Sequence, residues 1–273
     1  MKIIHLVPLF LLMSCTSMDI KTLDINTIQG LRGKVKEMDI SSSQYQINES
    51  GTSEIYSLKK NSTIIFNKKN KILKQIDKYQ NLTTINDFIY SDNLLIKRID
   101  TVNNRIDKTE YKYNKKKNLI GYNDFENGNL SFSITYTYDR NNNPIQILRT
   151  FYTPENQISK ETFIYNYKDR TANSYIHDRM SDPNSYLKMY YNKRGLEIKS
   201  ESIQDNNDIR TSTTYEYDKW GNLLKRVDFD EKLNPSQILT YKYIYDRKGN
   251  TTQIEEYSKY KMTSKTVIKI TYW

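Results

Sequence analysis

The side chains best suited to chemistry are scarce in this chain: two His and one Cys among 273 residues. That supply excludes His/Cys metal clusters, disulfide frameworks and Cys–His nucleophile pairs. His177 stands next to Asp178, an arrangement that in an enzyme orients an imidazole as general base. No G-x-S-x-G elbow and no phosphate-cradling glycine loop accompanies it, so the pair reads as structural. Asp139-Arg140-Asn141-Asn142-Asn143 begins like a calcium loop, but Pro144 stands where the turn glycine belongs and Thr150 where the bidentate acid belongs. No cofactor or metal is expected, and the chain does not read as an enzyme. Carboxylates clustered across a sheet would be the one route to hydrolysis.

What the chain has in quantity is charge and tyrosine. There are 42 Lys and Arg against 32 Asp and Glu, a net charge of +10, and 24 Tyr. At 37% hydrophobic the chain cannot build a thick multilayer core, and the aromatic content excludes a disordered polar tract.

The tyrosines repeat. Tyr111-Lys112-Tyr113-Asn114, Tyr136-Thr137-Tyr138-Asp139, Tyr165-Asn166-Tyr167-Lys168, Tyr215-Glu216-Tyr217-Asp218 and Tyr243-Ile244-Tyr245-Asp246 share one pattern, with looser copies ending at Phe66, Tyr90 and Tyr191. The anchors Phe66, Tyr90, Tyr113, Tyr138, Tyr167, Tyr191, Tyr217 and Tyr245 lie 23 to 29 residues apart, the period of a repeat architecture. Each unit alternates aromatic and polar residues at period two, turns at a Gly or Asn, and runs back as a second strand. Helix signals are absent. The expected fold is all-β: an antiparallel meander of about eight repeated hairpins over 28–273, with strands of about seven residues.

Tyr217-Asp218-Lys219-Trp220-Gly221-Asn222 and Tyr245-Asp246-Arg247-Lys248-Gly249-Asn250 resemble the Tyr-Asp (YD) repeats of the RHS family in its short lipoprotein form. The resemblance covers about residues 60–273. Lys117, Asn142 and Asn70 replace the Gly in other copies, and Phe125-Glu126-Asn127-Gly128-Asn129-Leu130 is similar to the MORN-variant repeats. The resemblance implies repeated hairpins. It does not extend to the toxin-enclosing cocoon of large RHS proteins, because neither their Asp-Pro core motif nor a toxin domain is present.

The first 14 residues carry one Lys, then an apolar run too short to span a bilayer, then small residues, as a secretory signal does. Leu12-Met13-Ser14-Cys15 resembles the bacterial lipoprotein signal, which implies lipidation of Cys15 and a tether over 15–27. An ordinary signal peptide with a coincidental Cys is the alternative. Thr16, not Asp, follows the Cys, which by the same resemblance implies a lipid-anchored protein of the bacterial outer membrane. Which side it faces stays open.

In the expected sheet, Tyr241, Tyr243 and Tyr245 share the oily face with Leu223, Val227 and Phe229, while Thr240, Lys242, Glu216, Arg226 and Asp228 stay wet. A closed barrel of so many strands would hold a wide watery lumen, so an open twisted sheet or a flattened roll is expected, with Ile28–Met38 as a capping strand. A membrane-spanning barrel is disfavoured by strands shorter than a bilayer needs.

A meander puts every second turn on one edge. That edge gathers Lys68, Lys69, Lys115, Lys116, Lys117, Arg140, Lys168, Arg170, Lys193, Arg194, Lys219, Arg247 and Lys248 against Asp92, Asp139, Asp169, Asp218 and Asp246. Most longer links opposite are acidic. The basic rim could hold lipopolysaccharide phosphate or acidic glycan, or merely keep hairpin tips soluble. Trp220 stands at a turn where other copies carry charge, as an exposed contact or a packed neighbour. The envelope address argues against nucleic acid. The expected function is a non-catalytic module, held on the membrane by its lipid, that recognises a glycan or an envelope protein. An immunity lipoprotein paired with a secreted toxin is the second expectation.

Overall fold

The computed structural model describes residues 31–47, 53–152, 157–177, 185–204, 208–259 and 261–273. Cys15 and the expected leader and tether lie outside them, as does Asp178. The described residues form eighteen strands. In chain order these are β1 (Val35–Ile47), β2 (Ser53–Phe66), β3 (Ile72–Tyr79), β4 (Leu82–Ser91), β5 (Leu94–Val102) and β6 (Arg105–Tyr113). Next come β7 (Leu119–Glu126), β8 (Asn129–Tyr138), β9 (Pro144–Phe151), β10 (Gln157–Asn166), β11 (Thr171–His177) and β12 (Tyr186–Tyr191). The last six are β13 (Glu197–Ile203), β14 (Ile209–Tyr217), β15 (Leu223–Phe229), β16 (Pro235–Tyr245), β17 (Thr251–Ser258) and β18 (Lys261–Tyr272). Strand lengths run from 6 residues in β12 to 14 in β2, longer overall than expected. The strand in the expected capping segment starts only at Val35.

Every strand pairs antiparallel with its sequence neighbours, as the repeat requires, and β1 also pairs with β18. Met38 faces Ile270, Ile40 faces Ile268 and Ser42 faces Thr266 along that seam. The sheet is therefore a closed up-and-down β-barrel, and the expectation of an open sheet or flattened roll is corrected. Closure satisfies both edges that an open meander leaves unpaired. Backbones approach one another only between ladder neighbours, β2 and β18 on either side of β1 excepted, so the wall does not collapse on itself. A barrel of this strand number keeps a wet interior.

The repeat's acidic residue builds its turn. The Asp218 carboxylate accepts the N–H groups of Trp220 (2.7 Å) and Asn222 (2.8 Å), while Gly221 takes a left-handed φ of 95°. Asp139 and Asp246 repeat this, and the amide oxygens of Asn67, Asn114 and Asn192 substitute for the carboxylate. Where Gly is replaced, Asn70, Lys117 and Asn142 adopt the same left-handed conformation, at φ 57°, 65° and 63°. Tight two-residue turns also occur on the opposite rim, at Asn103-Asn104 and Asn127-Gly128, where longer links were expected.

Beside seven of the eight anchors, Phe66, Tyr90, Tyr113, Tyr138, Tyr191, Tyr217 and Tyr245, the ladder register slips in a β-bulge. The slip inverts the facing of everything beyond it. Leu223 faces Tyr217 as expected, but Arg226 faces Tyr215 and Asp228 faces Thr213. Val227 and Phe229 turn to the other side. The assignment of Arg226 and Asp228 to the wet face is thereby corrected: they share the tyrosine face.

That face is the concave one. Val35, Met38, Ile64, Phe66, Ile72, Leu95, Leu119, Ile134 and Tyr241 are buried on it, whereas Ile106, Ile164 and Ile244 on the other face are 59, 62 and 53% exposed. Curvature crowds the inner side chains together and spreads the outer ones apart. The best-packed core, Val35, Met38, Ile64, Phe66 and Ile72 with Ile268, Ile270 and Tyr272 against it, lies across the closing seam.

Candidate functional site

The inner wall is layered. Nearest the rim of Tyr turns lies an aromatic layer whose phenols reach the neighbouring unit. Tyr90 donates to the Ile72 carbonyl (2.8 Å), Tyr113 to Leu95 (2.9 Å), Tyr165 to Pro144 (2.9 Å) and Tyr243 to Leu223 (2.9 Å). Burial pushes the Tyr111 phenol up to about 12, so it stays neutral. The anchors Tyr90, Tyr113 and Tyr138 are therefore part of the wall itself, each holding its unit to the one before.

Above the aromatics the bulges bring in a polar layer that straight alternation does not reveal. Asp77 accepts from Ser62 and from Gln75 (3.0 Å). Asp228 accepts from Thr213 (2.8 Å) and the Arg226 guanidinium (2.9 Å). Asp124 accepts from Thr109 (2.6 Å), and Arg98 holds Asp100 at 2.8 Å. On β9 to β11, Glu161 takes Arg149 (2.9 Å) and Ser174 (2.6 Å). The unit is a hydroxyl on one strand, a carboxylate facing it on the next, and in two copies an Arg or Gln two residues before the acid.

Burial raises the carboxyls of Asp100 and Asp124, only partly offset by Arg98 and Thr109, and it raises Glu197 against hydrogen bonds from Ser200 and Tyr215. One Asp100 oxygen is buried without a hydrogen-bond partner, a position a protonated carboxyl tolerates better than a charged one. Among the described residues no three His, Cys, Asp or Glu side chains assemble into a metal site. The acids of the polar layer are spread around the wall, most of them paired with a donor.

The rim of Tyr turns collects the basic residues named from the sequence. Lys115, Lys116, Lys117, Arg140, Lys193, Lys219, Arg247 and Lys248 are exposed there. Arg194 is half-buried and donates to the Asp218 carbonyl (2.9 Å). The Lys248 ammonium sits 3.5 Å from the Tyr272 ring centroid. Trp220 is 47% exposed and carries the Arg32 guanidinium 4.2 Å above its ring. His177 is exposed at the end of β11. The Asp139 loop serves its own turn and the Tyr167 hydroxyl.

The convex face is charged at mid-strand. Lys74 pairs with Asp87 (3.2 Å), Lys108 with Glu110 (2.9 Å) and Lys225 with Glu216 (3.3 Å). Aliphatic side chains such as Ile164 and Ile244 are set among polar neighbours on the same strands, Thr162 and Lys242.

Sequence reading missed the inner polar layer, although a signal for it exists. Leu95-x-x-Arg98-x-Asp100, Leu119-x-x-Tyr122-x-Asp124 and Leu223-x-x-Arg226-x-Asp228 place same-face residues three and then two apart. A step of three inside a strand is the footprint of a bulge.

No family model matches this sequence, and no curated protein matches it. Among solved structures, a porin-like protein from Bacteroides uniformis is 11% identical over 88% of this chain and 98% of its own, with a TM-score of 0.46. A TcdB2–TccC3–Cdc42 complex is 11% identical over 84% of this chain and 17% of that one, TM-score 0.25. A β-barrel-like DUF1849 protein from Brucella abortus is 8% identical over 89% of this chain and 100% of its own, TM-score 0.24.

Proposed function

We propose that this chain is a lipid-anchored protein of the bacterial envelope, of the YD-repeat kind, whose barrel is a non-catalytic binding module for a glycan. The observation that carries the reading is the recurring inner-wall unit of hydroxyl and carboxylate seen at Asp77, Asp124 and Asp228, set above a layer of tyrosine rings. Sugars are bound by flat aromatic faces together with paired acceptors and donors for their hydroxyls. A wall that repeats one polar unit suits a ligand that repeats one monomer. The Leu12–Cys15 signal supports the anchor.

The charged convex face supports a barrel that stands in water. A Lys or Arg facing lipid at the bilayer midplane costs about 2–4 kcal/mol, and Lys74, Lys108 and Lys225 stand at mid-strand on that face.

Titration calorimetry of the detergent-solubilised full chain against soluble envelope glycans tests the binding. Heat that disappears in Arg98→Ala and Arg226→Ala chains with unchanged circular dichroism supports the inner wall as the site. Heat retained in both variants, or none with any glycan, removes the reading. Intact-mass analysis of the N-terminal peptide tests acylation of Cys15 separately.

A further inference from the structure

The place where the chain enters the barrel and the place where its positive charge concentrates are the same rim. The Arg32 N–H donates to Asn250 Oδ1 (2.6 Å), and the Asn250 amide donates to the Arg32 carbonyl (2.8 Å). The Asn70 amide donates to the Gly33 carbonyl (2.8 Å), and the Trp273 N–H to the Lys34 carbonyl (3.0 Å). Asn70 and Asn250 belong to turns of the basic rim, so whatever precedes residue 31 departs from that rim. Residues 16–30 separate it from Cys15, a reach of at most about 55 Å at full extension. A lipid on Cys15 therefore tethers the chain by its basic rim, and a reach of that size leaves the orientation to the chemistry of the rim itself.

Both tryptophans of the chain also stand on this rim. Trp220 lies under Arg32 with the Lys219 ammonium 4.8 Å from its ring centroid. Trp273 has the ammonium groups of Lys36 and Lys68 each 5.7 Å from its ring centroid. An amphipathic indole flanked by cations suits the headgroup zone of a membrane. Anionic lipid surfaces attract such clusters within about one Debye length.

We propose that this rim is a membrane-docking surface, which lays its Lys and Arg side chains on the phosphates of the anionic leaflet that holds Cys15. Docked this way, the barrel turns its opposite rim away from the bilayer. The proposal rests on the lipid-anchor reading given above and assigns the basic rim to lipid rather than to the glycan.

The two tryptophans make the test direct, because their emission reports this rim alone. The full acylated chain is reconstituted into phosphatidylcholine vesicles with or without phosphatidylglycerol, and acrylamide quenching is measured. Docking predicts quenching at least about twofold weaker on anionic vesicles, restored when added salt shortens the screening length. A Lys115→Glu/Lys116→Glu/Lys117→Glu chain with unchanged circular dichroism loses most of the difference. Equal quenching on both vesicle types, with Cys15 acylated by intact mass, overturns docking and leaves the anchor standing. If Cys15 carries no lipid the anchor reading fails, and flotation of the full chain with the same vesicles decides; no preference for anionic lipid then overturns docking too. Capture of a soluble acidic polysaccharide with no vesicle preference assigns the rim to that polymer and also overturns it.

Discussion

The hydroxyl of Tyr245 donates to the carboxylate of Asp218 across 2.8 Å, although the two stand 27 positions apart in the chain. The same hydroxyl receives the Asn222 amide at 2.7 Å. Tyr272 with Asp246 and Asn250, and Tyr167 with Asp139 and Asn143, repeat the arrangement. One acid thus shapes its own turn and fastens the following unit to it. At these three turns the Tyr of one unit serves the Asp of the previous one, so that neighbouring turns are tied together along the rim.

Removing that acid should loosen two units at once. Asp218→Ala leaves the Trp220 and Asn222 N–H groups and the Tyr245 hydroxyl without their acceptor, a loss of about 1–3 kcal/mol for a partly buried charged acceptor. Tyr245→Phe should cost about 1 kcal/mol, and the double variant less than the sum of the two. Urea unfolding of the four chains measures the coupling. Strict additivity would show that the pair makes no shared contribution.

How much of this was legible in the sequence depends on the residue. The Tyr anchors mark strand ends correctly, and the substitutes Asn70, Lys117 and Asn142 stand where the left-handed turn position requires them. The facing of Arg226 and Asp228 was not legible from alternation, because one extra residue beside Tyr217 shifts the register. Closure was not legible either. It depends on Val35–Gln44 finding Ser264–Tyr272, a pairing between the two ends of the domain that no local pattern encodes.

Two groups of acids should give the stability a two-sided pH profile. At Asp139, Asp218 and Asp246 burial pushes the carboxyl up, but hydrogen bonds from Tyr hydroxyls, Asn amides and backbone N–H groups outweigh it and hold each below its ordinary 3.8. Their contribution is present above the unfolded value and is lost as pH falls through the folded one. Asp100, Asp124 and Glu197 are raised by burial, so their contribution is full at low pH and is lost as pH rises through their folded values. Thermal unfolding from neutral pH downward should show a gain as the raised group protonates, then a steep loss below about pH 4. Asp124→Asn should flatten the gain, and Asp246→Asn should shrink the acid loss.

Two glycines of the β7–β8 hairpin, one within a strand and one in the turn, should differ sharply in tolerance. A Cβ at Gly121, φ 156°, would stand 2.3 Å from the Ile134 carbonyl oxygen on the paired strand, so the ladder itself must move. A Cβ at Gly128, φ 82°, meets nothing within 4 Å, leaving only the left-handed backbone cost of about 1 kcal/mol. Gly121→Ala should therefore lower the melting temperature clearly more than Gly128→Ala. Equal shifts would mean that β7 and β8 do not pair in the register that brings Gly121 onto Thr135.

The seam between β1 and β18 is the feature most open to a covalent test. Ser41 pairs with Val267 there, both on the convex face. Paired residues on neighbouring antiparallel strands have Cα atoms about 4.5–5.5 Å apart, within the span a disulfide bridges. In an open sheet of the same strands these two positions would sit on opposite edges, about 80 Å apart at ordinary strand spacing. A Ser41→Cys/Val267→Cys chain should form the 41–267 link on mild oxidation, identified by peptide mapping, since Cys15 is the only other thiol. The link should raise the unfolding midpoint, because it closes a very long loop in the denatured chain. A Ser41→Cys/Lys97→Cys chain, joining β1 to the non-adjacent β5, should stay reduced under the same conditions. Failure of the seam pair to link, with the chain folded, would mean that the sheet is open and that both of its end strands present free edges.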